Sequence, residues 1–313
     1  MISPQTMEVS EQIPSKEEKK ETLACLIIDD PLLKPTYGCI DYTKLLNEMK
    51  EHNFFTEIAF IPWNYKRSDP KTVRLFAENP DYFAICVHGC NHTKNEFGQT
   101  DHNELVALSS TALWRMEQHK NLTGLSYDPV IVFPQGRFSS VAMKALKELG
   151  YFAAFNSGLK ATDIKNPIGP VEYLKPSTFI YHDFPLFLRH YPHEREMFVQ
   201  DIKNGRPVII VEHHGAFRNG YKSITDLVDW INSIGNIKWT SLLNIAEFYL
   251  KKKSDDIKNV INPTNSYNKN SVSIGMRRIL SEVRDNLIET NSYFNNAYKR
   301  MRNAASALTS SKR

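Results

Sequence analysis

Long hydrophobic runs are missing from this 313-residue chain, and its mean hydropathy is −0.42. The longest apolar segments, Leu23–Ile28 and Val208–Val211, fall far short of the roughly 20 residues a membrane span needs, so a soluble protein is expected. The first 21 residues lack an apolar core and carry the mixed-charge run Lys16-Glu17-Glu18-Lys19-Lys20-Glu21, which does not read as a secretion signal. Cysteine is scarce. Cys25, Cys39, Cys86 and Cys90 are too few for a disulfide framework in a chain of this size and read as reduced thiols of a cytoplasmic protein. With only 13 Gly and 16 Pro, collagen-like and low-complexity classes are excluded, and no internal repeat is visible.

Acidic charge is sparse in one place. Residues 251–313 hold 13 Lys and Arg against 5 Asp and Glu, whereas residues 1–250 hold 26 against 30. A mildly acidic body thus carries a basic tail, which is expected to be a solvated helix with room for contact to phosphates or a membrane surface. Helix-turn-helix, zinc-finger and aromatic RNA-binding signatures are lacking, so no specific nucleic-acid role is expected.

What the chain does contain is alternation. Short apolar runs at Leu23–Ile28, Phe55–Ile61, Tyr82–Val87, Pro129–Phe133, Phe152–Phe155, Thr178–Tyr181 and Pro207–Val211 read as strands. Between and after them, helical periodicity marks Tyr42–His52, Pro70–Glu78, Glu104–His119, Ser140–Leu149, Arg195–Lys203, Ile224–Ile234 and Leu242–Lys251. About seven β-then-α units imply parallel strands with helical crossovers, in a doubly wound sheet or a barrel, with functional residues collected where strands end. The expected organisation is a polar leader over 1–21, the α/β body over 22–252, a linker over 253–270 and a basic amphipathic helical tail over 271–313.

Three strand ends carry unusual groups. The first finishes in Asp29-Asp30-Pro31. Adjacent carboxylates after a buried run repel unless a cation or proton intervenes, and both address one site only if the strand is ending there. The third finishes in His88-Gly-Cys-Asn-His92, whose two imidazoles face the same way if the loop begins a helical turn. Imidazole with carboxylate suits a borderline divalent metal, zinc foremost, with cobalt, nickel or iron as alternatives. A closed zinc site from Cys86, His88, Cys90 and His92 competes poorly, because the spacing is too tight for four ligands. The last strand finishes in Glu212-His213-His214, and the fourth is followed by Pro134-Gln135-Gly136-Arg137.

Taken in order, Asp-Asp, His-x-x-x-His, a Pro-x-Gly turn and a late His after an apolar strand resemble the polysaccharide deacetylases, the NodB-like carbohydrate esterases of family 4. The resemblance spans about residues 23–250. It implies a distorted (β/α)7 barrel of α/β class with a C-terminal helical extension. It also implies one divalent metal ion on Asp30, His88 and His92, with Asp29 as catalytic base. His213 or its neighbour His214 is implied as the acid, and Pro134, Gln135 and Gly136 as a wall of the substrate groove. Where the family has an Arg two residues before that Pro, this chain has Val132, and Arg137 is the stand-in expected to steady the base. The family's fourth motif is not recognisable; Asn156 and Asp183 are the polar groups expected to reach substrate, with Asp163 nearby.

The implied activity is metal-dependent hydrolysis of an N-acyl group on an amino sugar or a precursor in a bacterial glycan-assembly pathway, with the basic tail then expected near a membrane or a glycosyltransferase partner. Hydrolysis of an imide or formamide, or a catalytically silent glycan- or partner-binding barrel, are the alternatives. A glycosyltransferase reading of Asp29-Asp30 leaves His88 and His92 unexplained. Loop aromatics such as Trp63, Tyr65, Phe138, Tyr181, Phe184 and Tyr191 offer faces for sugar stacking, although among 17 Phe and 14 Tyr most are expected in the core.

Overall fold

In the computed structural model, residues 21–164, 179–182 and 184–261 are described. The leader, the tail over 271–313 and Asp183 lie outside them. In chain order the strands are β1 (Glu21–Asp29), the short pair β2 (Thr36–Tyr37) and β3 (Ile40–Asp41), β4 (Thr56–Phe60), β5 (Phe83–His88), β6 (Asp128–Val132), β7 (Ala154–Asn156), β8 (Phe179–Tyr181), β9 (Phe184–Leu188), β10 (Val208–His213) and β11 (Asn236–Trp239). The helices are α1 (Tyr42–His52), α2 (Pro70–Glu78), α3 (His102–Thr123), α4 (Ser140–Glu148), α5 (Arg195–Lys203), α6 (Lys222–Ile234) and α7 (Leu242–Ile261).

Seven strands run parallel in the order β10-β1-β4-β5-β6-β7-β9, and a single bridge from His190 to Ile210 ties the end of β9 back towards β10. The sheet therefore curls into a distorted (β/α)7 barrel. Helices begin where the sequence offers caps: Asp41 accepts from the N–H groups of Thr43 and Lys44 at α1, Asp69 does the same at α2, and Ser139 at α4.

Both faces of the sheet are apolar, as a covered parallel sheet requires. Leu26, Ile28, Ile58, Phe60, Ile85 and Val87 pack outward in one cluster with α1, α3 and α4. Cys25, Ile27, Ala59, Cys86, Val130, Val132, Phe187 and Ile209 pack inward with Leu242, Ile245 and Tyr249 of α7, which closes the barrel floor. Period-two alternation then delivers Asp29, His88, Arg189 and His213 to the inner face at the top, and Glu57 and Asp128 to the same face at the bottom.

Three departures from the sequence reading stand out. The sixth barrel strand is Phe184–Leu188, while Phe179–Tyr181 is an antiparallel partner on its edge, pairing Ile180 with Pro185. Residues 236–239 form a further parallel strand on β1. Helix α7 runs to Ile261, through the first half of the stretch expected as linker.

Candidate functional site

At the top of the barrel, β1 ends at Asp29, and Asp30 takes a left-handed backbone (φ 81°). That turn resolves the problem of two adjacent carboxylates: the strand keeps Asp29 inward, and the following residue swings its carboxyl sideways across the opening. Asp29 is only 2 % exposed and accepts from Arg189 Nη1 at 2.7 Å. Its other oxygen lies 3.9 Å from His213 Nε2, as expected from the pairing of Asp29 with His213 across β1 and β10. Burial pushes the Asp29 carboxyl up, but Arg189, His88 and His213 outweigh it and hold it below the ordinary range.

Asp30 Oδ1 lies 3.1 Å from His88 Nε2 and 3.1 Å from His92 Nε2. His88 Nδ1–H donates to the Val132 carbonyl at 3.0 Å, which leaves its Nε2 lone pair aimed at the carboxylate. Lone pair facing lone pair at this distance calls for a cation or a proton between them. Asp30 Oδ1 is moreover buried with no hydrogen-bond donor in proper geometry. The three donors lie within 4.8 Å of one another, so the residues present fit a divalent metal. Burial raises the Asp30 carboxyl, yet His88 and His92 overcome it and hold it far below the carboxylate range; Asp30 in turn pushes His92 up. A second group, Glu48, Glu51 and His52, sits on the outer face of α1, where Asp229 already engages His52 Nδ1 at 2.9 Å.

The loop that presents His92 is built around Glu96, a residue that the sequence reading missed. Its buried carboxylate accepts from the backbone N–H groups of Cys90, Asn91, His92 and Thr93 and from the Thr93 hydroxyl. Gathering successive N–H groups on one anion turns the chain tightly enough for His92 to adopt φ 59°. Gly89 is required there, because a Cβ would meet Glu96 Oε1 at 2.1 Å and Pro134 Cγ at 2.3 Å.

The Pro134–Gly136 turn flanks this loop. Gln135 Oε1 accepts from the Asn95 N–H, and Asn156 Nδ2 donates to the carbonyls of Gly136 and Gly158. Asn156, expected to reach substrate, holds this turn through its amide nitrogen. Arg137 donates through Nε to Asn95 Oδ1 at 2.6 Å, and Arg189 is the guanidinium on Asp29. The expectation that Arg137 steadies the base is corrected accordingly. Arg189 directly follows β9, so the strand-end rule would have found it had Phe184–Leu188 been read as a strand. His214 packs edge-on against Tyr37 (5.2 Å between ring centres) and over Gly38, leaving His213 as the imidazole beside Asp29. Asp163 caps the start of α4 through the Ser140 N–H and hydroxyl.

A curled parallel barrel gathers carboxylates and imidazoles at the carboxyl ends of its strands. Its fold is that of the NodB-like polysaccharide deacetylases. A Mycobacterium smegmatis protein assigned by name to the polysaccharide deacetylases superposes with a TM-score of 0.54 at 14% identity, over 79% of this chain and 96% of that one. PdaA of Bacillus subtilis, a family 4 carbohydrate esterase, gives 0.45 at 16% identity over 72% and 81%. A family 4 pseudoenzyme of Bacillus anthracis gives 0.42 at 9% identity over 73% and 66%. No protein-family model and no curated protein matches the sequence.

Proposed function

We propose that this protein is a metal-dependent hydrolase that removes an N-acyl group, acetyl foremost, from an amino sugar or glycan precursor. The observation that carries this reading is the division of labour between two adjacent carboxylates. Asp30 faces His88 and His92, whereas Asp29 faces Arg189 and His213. A purely structural metal site has no use for a second, ionised carboxylate held apart from the ligands.

When bound on Asp30, His88 and His92, a divalent ion, with zinc the best match to the donors, supplies Lewis acidity towards an acyl oxygen and lowers the pKa of water. Asp29 takes the proton of the attacking water, and Arg189 keeps it ionised and aimed. His213, with 52 % of its side chain exposed, delivers a proton to the departing nitrogen, which otherwise leaves as a strongly basic amide anion. The C–N bond breaks, water supplies OH to the acyl carbon and H to nitrogen, and the products are a carboxylic acid and an amine.

A reducing, cytoplasmic setting is part of the proposal, and four free cysteines support it. No helix among the described residues is long and apolar enough to cross a membrane. The test is metal content by mass spectrometry on protein purified without chelator, together with acetate release from N-acetylated amino sugars. About one divalent ion per chain, lost in the His88→Ala/His92→Ala double variant along with acetate release, is the expected result. Protein that refuses zinc, cobalt and iron sinks the reading.

A further inference from the structure

Two buried titratable residues that the proposed chemistry does not use, His190 and Asp201, meet where the barrel closes. β1 pairs with β10 over six positions and β9 with β7 over three. Among the described residues a single bridge, His190 to Ile210, joins the end of β9 to β10. It consists of the His190 N–H on the Ile209 carbonyl at 2.8 Å and the Val211 N–H on the His190 carbonyl at 2.9 Å. Arg189 stands one residue before this bridge and reaches across β10 to Asp29 on β1. A seam held by so little backbone pairing is where the guanidinium and the carboxylate can drift apart.

Side chains supply what the backbone lacks there. Arg189 turns to Asp29, whereas His190 turns to α5: its Nε2 lies 3.1 Å from Asp201 Oδ2, and its ring meets Phe198 edge-on with centres 5.9 Å apart. His190 is 5% exposed and Asp201 2%. Arg206 Nη1 stands 3.9 Å from the other Asp201 oxygen, and the Arg206 N–H donates to the Asp201 carbonyl at 2.8 Å. Glu194, just before α5, has Oε2 4.0 Å from His190 Nδ1. A buried ion pair seldom stabilises more than apolar side chains of the same shape, because desolvation offsets the attraction; what it can supply is one fixed geometry. Helix α5 is also the connection from β9 to β10, so Asp201 grips the seam from the segment that spans it.

We propose that His190 and Asp201 are positioning residues for Arg189: the pair locks the end of β9 onto α5 and so holds the guanidinium 2.7 Å from Asp29. The inference rests on the hydrolase reading for the use made of Asp29, while the mechanical coupling of the pair to Arg189 stands apart from it. Misplacement of a reacting group by about 1 Å costs about 10²-fold in rate. Arg189 contacts Asp29 and not the Asp30, His88 and His92 group, so a loosened seam slows turnover without releasing metal.

The test compares wild type with Asp201→Asn, His190→Gln and His190→Asn. Gln places an amide N–H near the position of Nε2, within reach of Asp201, whereas Asn is one carbon too short. Each protein gives two readouts. One is acetate release from N-acetylglucosamine and its dimer; the other is hydrogen exchange of the Arg189 Nε–H, followed by NMR on isotope-labelled arginine and identified by its loss in Arg189→Lys. In Asp201→Asn and His190→Asn, kcat is expected to fall at least tenfold with KM and metal content within twofold of wild type. Exchange at Arg189 is expected to quicken at least tenfold in both, and His190→Gln to stay nearer the wild type in both readouts. If Asp201→Asn fails to fold, the difference between the two His190 variants decides. Unchanged exchange at Arg189 overturns the proposal, whatever happens to the thermal midpoint, because the pair then serves the fold alone. Faster exchange at unchanged kcat overturns its part in the reaction. Faster exchange with no acetate release from any protein, wild type included, upholds the coupling to Arg189 and removes the hydrolase reading. Acetate release by wild type with exchange alike in all variants does the reverse.

Discussion

The barrel interior holds acidic groups at both ends, and the two ends treat them oppositely. At the top, buried Asp29 is paired with Arg189 and held below its ordinary pKa. At the bottom, buried Glu57 and half-buried Asp128 are both pushed up by loss of water, and coulombic repulsion from Asp128 raises Glu57 further. The partners at the bottom are the N–H groups of Leu242 and Leu243 at the start of α7, at 2.6 and 3.1 Å. The carboxylates cap the helix, but its amide donors bring only partial positive charge, too little to offset the loss of water around both carboxyls. Burial is common to both ends, so the partner decides whether a carboxyl is held below or above its ordinary pKa.

The sharpest break of this comparison comes from Asp29→Asn, which keeps the shape and removes the base. Acetate release is expected to fall about 10²- to 10⁴-fold, the range for loss of a general base, with metal content unchanged. Loss of metal in that variant instead places Asp29 among the ligands. Arg189→Met leaves the Asp29 charge buried without its guanidinium and is expected to cost about 3–5 kcal/mol of stability by denaturant unfolding. The double variant Arg189→Met/Asp29→Asn recovers part of that loss if the pair, and not the packing of Arg189, is responsible. An equal loss in the two proteins points to packing.

Glu96→Gln tests the loop rather than the charge balance. One of the two oxygens that gather four N–H groups becomes a donor, so metal affinity is expected to weaken about 10- to 100-fold, as for other residues that orient ligands. Competition with a chromophoric chelator reads this directly, and an unchanged affinity removes Glu96 from the site.

The smallest effect is expected at the floor. Because Glu57 is raised in the native state, its favourable contribution is complete below its ordinary value of 4.5 and is lost as pH climbs through the raised one. Glu57 therefore subtracts stability as pH rises above its ordinary value towards 8, whereas the lowered Asp29 and Asp30 withdraw theirs only in acid. Glu57→Gln keeps an acceptor for Leu242 and should flatten that slope, leaving the variant more stable than the wild type at pH 8. A Gln variant less stable than the wild type at pH 8 sinks the idea that the buried carboxylate costs stability there.

Legibility in the sequence followed the strength of the local signal. Asp29, Asp30, His88 and His92 were readable because each follows an apolar run long enough to be recognised as a strand. The helices Tyr42–His52, Pro70–Glu78 and Arg195–Lys203 were read to the residue, each with clear periodicity between breakers. Arg189 was missed for a physical reason. Pro185 argues against a strand interior, and it is tolerated in β9 opposite Ile180 of the short antiparallel edge strand. Glu96 belongs to no periodic element, and its role arises from backbone N–H groups that no side-chain pattern announces.

By itself the sequence determined the alternation of elements, the apolar faces and the placing of carboxylates and imidazoles at strand ends, because these depend on spacing along the chain. Only the tertiary structure decided which guanidinium meets Asp29, which of two neighbouring histidines stands beside it and which aromatic rings stay in water. Those choices depend on strands remote in sequence, β9 and β10 against β1, being brought within a few ångströms by closure of the barrel.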